Sequence, residues 1–165
     1  MKRVVTLGEV MLRLKSPGVE RLFQSPSLEA TFGGAEANVA VSLANYGMPA
    51  SFVTALPKNA IADAALAELR GLGVDTQFVK RQGERVGIYF LEGGANQRAS
   101  KVVYDRAGSA ISSAQPADFD WDVIFQGAHW FHISGVTPAR SRASMSAPFS
   151  SSASAIAAVP RPAAA

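Results

Sequence analysis

Apolar residues fall in short blocks along the first 136 positions, and the spacing inside each block predicts its element. Residues 3–8 form a brief apolar run, and Val10, Leu12 and Leu14 continue it as an alternation with Met11 and Arg13 between them, which is strand periodicity. Residues 15–27, rich in Ser, Pro and Gly, read as a loop, and 28–32 as another short strand. Small and apolar residues from 35 to 46 predict a helix stopped by Gly47, and 50–55 a buried strand. The next helix carries its own punctuation: Asn59 as N-cap, Asp63 near the positive end of the dipole, Arg70 near the negative end and Gly71 as terminator.

Strands are expected at 74–79, 85–92 and 100–105, the last two joined by the turn-rich Glu92-Gly93-Gly94-Ala95-Asn96. A period of two sends Val102, Tyr104 and Arg106 to one face, an aromatic beside a guanidinium. A helical turn within 112–121 and a core strand over 128–134, ending at Gly135, complete the series. Strands alternating with helices predict an α/β fold with a parallel sheet, and the 85–105 hairpin reads as an antiparallel appendage. No internal repeat is present.

Beyond Val136 the pattern stops. Of the 29 residues from 137 to 165, 21 are Ala, Ser or Pro and none is acidic. Such a segment buries too little apolar surface to offset chain entropy, so the chain divides into a folded region, 1–136, and a disordered or weakly helical tail, 137–165. Its composition is that of a stretch read out of frame or of a fusion scar.

Charge then narrows the partners. The net charge of +3 comes from Arg140, Arg142 and Arg161 in that tail, which leaves 13 basic and 13 acidic residues elsewhere. A neutral body without a basic cluster argues against nucleic acid. The absence of an 18-residue apolar run, and an acid as early as Glu9, argue against a membrane span or secretory signal and place the chain in the cytoplasm. Zero cysteines remove disulfides and thiol chemistry.

Chemistry is suggested first by Phe32-Gly33-Gly34-Ala35-Glu36-Ala37-Asn38-Val39-Ala40. Paired glycines let backbone approach a ligand, and the first turn of a helix offers N–H groups that have no partner within it. The pattern is neither a Rossmann fingerprint nor a P-loop. His129 and His132, three apart on a strand, point to opposite faces and do not form a metal pair. Trp121, Trp130 and Phe131 read as packing, Ser109 lacks the setting of a nucleophile elbow, and Glu9, Asp63 and Asp118 show no pairing that suggests acid/base work.

Taken in order, Gly33-Gly34-Ala35-Glu36-Ala37-Asn38-Val39-Ala40, Leu43-Ala44-Asn45-Tyr46-Gly47, Phe52-Val53-Thr54-Ala55-Leu56-Pro57 and Leu72-Gly73-Val74-Asp75-Thr76 resemble the amino-terminal half of the PfkB, or ribokinase-like, carbohydrate kinases. Gly87-Ile88-Tyr89, Val103-Tyr104-Asp105-Arg106-Ala107-Gly108-Ser109-Ala110 and the stretch from Phe131 to Ala139 are similar to the branch that phosphorylates 2-keto-3-deoxygluconate (2-dehydro-3-deoxygluconate). The resemblance runs from residue 3 to about residue 139.

The resemblance implies a truncated ribokinase-like three-layer α/β/α sheet with a small β-rich lid, and transfer of the ATP γ-phosphate, with Mg²⁺, to a hydroxyl of a sugar acid. Gly33, Gly34 and Asn38 would line the sugar site, with Tyr89, Tyr104 and Arg106 reaching it from the lid; a carboxylate suits the planar fork of an arginine. The family's Gly-Ala-Gly-Asp motif, which carries the catalytic base, is absent from these 165 residues, so no residue takes that role and the chain alone is expected to be inactive. Exposed lid strands would suit a homo-oligomer. The alternatives are a noncatalytic sugar-acid binding or dimerisation module, and a kinase of fructokinase or ribokinase specificity.

Overall fold

The computed structural model of the chain describes residues 2–134 and 155–158. At its centre β1 (Arg3–Leu7) lies parallel to β4 (Ala50–Val53) on one side and to β9 (Ala128–Ile133) on the other. β10 (Ala155–Ala158) pairs antiparallel with β9, so the sheet runs β10-β9-β1-β4. All four residues of β4 and all but the first of β1 are buried, as expected of a parallel strand covered on both faces.

Two apolar clusters cover those faces. Val5 and Leu7 of β1, Val53 of β4, and Phe131 and Ile133 of β9 pack with Ile111, Phe119 and Ile124. These last three come from α3 (Ala110–Ser113), the residue after a 3₁₀ turn (Pro116–Asp118), and α4 (Trp121–Phe125). On the opposite face Ala50 and Phe52 of β4 meet Ala37 and Ala40 of α1 (Ala35–Asn45) and Leu66 and Leu69 of α2 (Ala60–Gly71). Period two along each strand therefore feeds two cores, and the three layers are those expected of the α/β fold.

A second sheet has the order β3-β2-β7-β8, from β2 (Met11–Lys15), β3 (Glu29–Gly33), β7 (Ile88–Glu92) and β8 (Lys101–Asp105). β2 is antiparallel to β3 and parallel to β7, and β7 is antiparallel to β8. The expected hairpin is present, but it is half of a mixed four-stranded lid rather than a separate appendage. β8 is exposed along its whole length.

The helical punctuation differs at one point. The Asn59 side chain accepts a hydrogen bond from Ala62 N at 3.0 Å and caps α2, and Gly47 ends α1 at φ 75°. Gly71, however, is the last helical residue of α2; the left-handed stop is Gly73, at φ 82°.

The strand expected at 74–79 is also corrected. Asp75 forms an isolated parallel bridge with Ser51, and pairing resumes only where the two-residue β6 (Lys80–Arg81) meets β5 (Ala55–Leu56). The cause is local: the Asp75 carboxylate accepts the Gln77 N–H at 3.0 Å, and Val79 N donates to Thr76 O at 3.2 Å, a turn that outcompetes the ladder. The helical turn expected within 112–121 is resolved into α3, the 3₁₀ turn and α4.

Four residues of the low-complexity tail, 155–158, form β10 where the composition predicts no strand. The remainder of that reading lies outside the described residues. Among the described residues no helix is long and apolar enough to cross a membrane.

Candidate functional site

The chain leaves β1 toward β4 on one side of the sheet and returns as β9 on the other, so the carboxyl end of β1 is a topological switch point. In open α/β sheets ligands bind in the crevice at such ends. Gly8 and Glu9 follow β1 here, Ser134 follows β9, and the N-terminus of α1 arrives from the lid through Gly33 and Gly34.

Two buried carboxylates occupy the junction. Glu36, in the first turn of α1, accepts hydrogen bonds from Ser134 N at 3.0 Å and from Ser134 Oγ, tying β9 to the positive end of the helix. A Cβ on Gly8 would overlap the Glu36 carboxylate, so the close approach of β1 to α1 requires glycine there. Glu9 is 6% exposed, and its Oε2 accepts a hydrogen bond from Arg106 Nη2, just beyond β8.

The sequence-predicted residues gather around that second acid. A Cβ on Gly34 would overlap the Glu9 carbonyl oxygen, and one on Gly33 would come within 2.9 Å of Tyr89 Oη. The Tyr89 and Tyr104 rings, opposite each other in the β7–β8 register, have centroids 5.9 Å apart. The Arg106 guanidinium carbon lies 5.8 Å from the Tyr104 centroid, within cation–π range. Gly33, Tyr89, Tyr104, Arg106, Glu9 and Gly34 thus close a ring of neighbours between the lid and the carboxyl end of β1.

Asn38 stands apart from this ring. It lies one turn into α1 with an exposed side chain, and its backbone N–H donates to Gly34 O at 2.8 Å in ordinary helical fashion. Gly34 itself is the N-cap of α1 and supplies no side-chain acceptor to the first turn of that 11-residue helix.

Sequence reasoning missed Glu9. A lone acid between Gly8 and Val10, directly after an apolar strand, was a readable sign of a buried charge needing a partner, but nothing local identifies that partner 97 residues away. Of the other candidates, Trp121 and Phe131 pack as expected, whereas Trp130 is exposed rather than packed. Phe119, Trp121, Phe125 and Phe131 form a chain of rings with successive centroids 5.3–5.6 Å apart. Asp63 pairs with Arg81 at 2.7 Å, and Asp118 accepts hydrogen bonds from Gln82 and Gln115 N. Among the described residues no group of three His, Cys, Asp or Glu side chains could hold a metal ion.

Known proteins share this fold. The sequence profile described as pfkB family carbohydrate kinase matches residues 1–160. A 2-dehydro-3-deoxygluconokinase structure from Thermotoga maritima superposes with a TM-score of 0.84 at 57% identity, covering 86% of this chain and 43% of that one. A 2-dehydro-3-deoxygalactonokinase of Haloferax volcanii is 38% identical over 138 residues, 84% of this chain and 43% of the relative. A 2-dehydro-3-deoxygluconokinase of Bacillus subtilis is 29% identical over 138 residues, 83% of this chain and 42% of the relative. The chain therefore spans about two-fifths of the length of the proteins it matches, and the truncated ribokinase-like fold agrees with these neighbours. With a family profile matched over nearly its whole length, the chain belongs to the pfkB family of carbohydrate kinases.

Proposed function

We propose that this chain carries the sugar-recognition part of a kinase that transfers the ATP γ-phosphate to a hydroxyl of a 2-dehydro-3-deoxy sugar acid, 2-dehydro-3-deoxygluconate first. The observation that carries the reading is the ring formed by the double glycine, two tyrosines and Arg106 at the carboxyl end of β1. A polyol acid needs several directed hydrogen bonds and a fork for its carboxylate. Glu9 engages one of the two N–H groups of Arg106 Nη2, which leaves the other, with its neighbour on the same edge of the guanidinium, as a fork for a ligand carboxylate. The tyrosine hydroxyls and the first-turn N–H groups of α1 address the sugar oxygens, with Asn38 one turn further along the helix.

Among the described residues no group of three His, Cys, Asp or Glu side chains could hold a metal ion, and no residue of this chain is given the role of base. The expected result is binding without turnover. Calorimetric titration of the purified chain with 2-dehydro-3-deoxygluconate tests it: saturable binding abolished by Arg106→Ala supports the reading, and no heat of binding, or equal binding of fructose, refutes it.

One observation favours a further role for the lid. β8 is an exposed edge strand that presents Val102, Val103 and Tyr104, each at least 41% exposed, together with unpaired backbone groups. A second copy of the chain pairing through this edge would cover both. Light scattering on the purified chain should then give twice the monomer mass, and a Val103→Lys substitution should halve it.

A further inference from the structure

Glu9 is built into the fold from three directions. It follows β1 with its side chain buried; its Oε2 accepts from Arg106, and its Oε1 is buried with no hydrogen-bond partner among the described residues. Two glycines from separate elements admit it. A Cβ on Gly34, at the N-cap of α1, would overlap its carbonyl oxygen, and a Cβ on Gly87, just before β7, would overlap its Oε1 and come within 3.2 Å of Arg106 Cβ. Burial of a carboxylate with one oxygen unsatisfied is unfavourable, and a buried ion pair replaced as a whole by apolar residues of similar volume is commonly as stable or more so. The arrangement is therefore poorly explained by stability, and what it does achieve is to fix a guanidinium.

Arg106 is held at Nη2 by Glu9 and lies against the Tyr104 ring, which takes its long side chain out of the rotamers it would sample in water. A planar fork fixed in advance loses less freedom when it meets a planar carboxylate. We infer that Glu9 is a positioning residue that aims Arg106 and so sets the preference of the site for sugar acids over uncharged sugars. This rests on the substrate class proposed above.

The test compares 2-dehydro-3-deoxygluconate with its neutral amide, which keeps every hydroxyl, in calorimetric titrations of the whole chain. Glu9→Gln should weaken binding of the acid about tenfold and leave binding of the amide unchanged. Gly87→Ala, which retains both charges but pushes the Glu9 carboxylate aside, should give the same selective loss if Glu9→Gln fails to fold. Equal weakening of acid and amide, or no change in either, overturns the inference.

A ligand-free measurement separates this outcome from failure of the proposed function. In ¹⁵N spectra of the arginine side chains, rotation about the Cζ–Nη bonds of Arg106 should be slow in the parent chain and fast in Glu9→Gln; identical rates overturn the positioning role. If the parent chain binds no acid at all, the proposed function falls and the selectivity role with it, while these rates still decide whether Glu9 fixes Arg106.

Discussion

Replacement of Gly34 by alanine isolates one step in the construction of the site. The residue sits at φ −175° and ψ 145°, extended backbone that alanine adopts freely, so any effect is steric. The new Cβ would overlap the Glu9 carbonyl oxygen and lie 3.0 Å from its carbon and 3.2 Å from Val10 Cα, all of them backbone atoms. Relief requires a shift on the order of 1 Å between the β1–β2 connection and the start of α1, next to the Met11–Gly33 pair that ends the β2–β3 ladder. Overpacking of this kind costs about 1–3 kcal/mol, and loss of a terminal ladder hydrogen bond adds about 1 kcal/mol. The expected destabilisation is about 3 kcal/mol, a fall in melting temperature of roughly 6–12 °C for a chain of this size. Gly33→Ala is the control, because its Cβ would meet only the hydroxyl end of Tyr89 at 2.9 Å, a group that can turn away. Urea unfolding followed by the fluorescence of Trp121 and Trp130 reads both variants. If the two differ by less than about 0.5 kcal/mol, or if Gly34→Ala matches the parent, close backbone approach is not why glycine occupies this position.

Three other outcomes are expected. Asn59→Ala should destabilise the chain by about 1 kcal/mol in the same assay, through loss of the cap on Ala62 N. Arg106→Ala should cost about 3 kcal/mol by stranding the Glu9 carboxylate, and adding Glu9→Gln should recover most of that loss; a double variant as unstable as the single would refute an uncompensated charge as the cause. The Asp75 carboxyl titrates below its ordinary 3.8: burial pushes it up, but hydrogen bonds from Gln77 and Ser51 and the charge of Arg3 outweigh that. A lowered folded value stabilises the fold above the unfolded value and loses that contribution as pH falls through the folded one. The stability gap between the parent and Asp75→Asn should therefore be fully present at about pH 5 and close progressively below about pH 4, and a gap independent of pH would count against it.

Local features were legible where local chemistry decides them. Asn59 reads as a cap because its side chain reaches an N–H three residues on, and Gly47 as a stop because φ 75° there costs glycine nothing. β1 and β4 are visible as apolar runs because both their faces are buried. The same reasoning fails at Asp75–Thr76–Gln77, where alternation reads as strand while the carboxylate forms its own turn, and at Gly71 and Gly73, which composition cannot tell apart. Periodicity identifies β2, β3, β7 and β8 one by one but is silent on pairing, so their union in one lid, with β2 parallel to β7, was not readable. In the candidate site the double glycine and the Tyr104–Arg106 face were visible as patterns, whereas Glu9 was not, because its meaning lies in a partner 97 residues away.

That partner explains why the two patterns belong to one site. Glu9 stands at the end of the central sheet, and Arg106 and Gly87 belong to the lid. Gly34 is where the lid strand β3 becomes the helix that packs on that sheet. A buried charge pair across such a seam prefers one relative placement of its two sides, because an unpaired charge in either direction is costly while apolar contacts tolerate sliding. The seam is thus held in register at the point where a ligand carboxylate would arrive, and the ligand meets a guanidinium whose charge is already half committed. A site of this kind recognises its ligand through the fork together with the hydroxyl-binding groups around it, more than through net charge. Inorganic sulfate or phosphate can engage the fork through two oxygens but carries none of the sugar hydroxyls, so either should compete poorly with the sugar acid, and efficient competition by either at millimolar concentration would show that simple charge attraction governs Arg106.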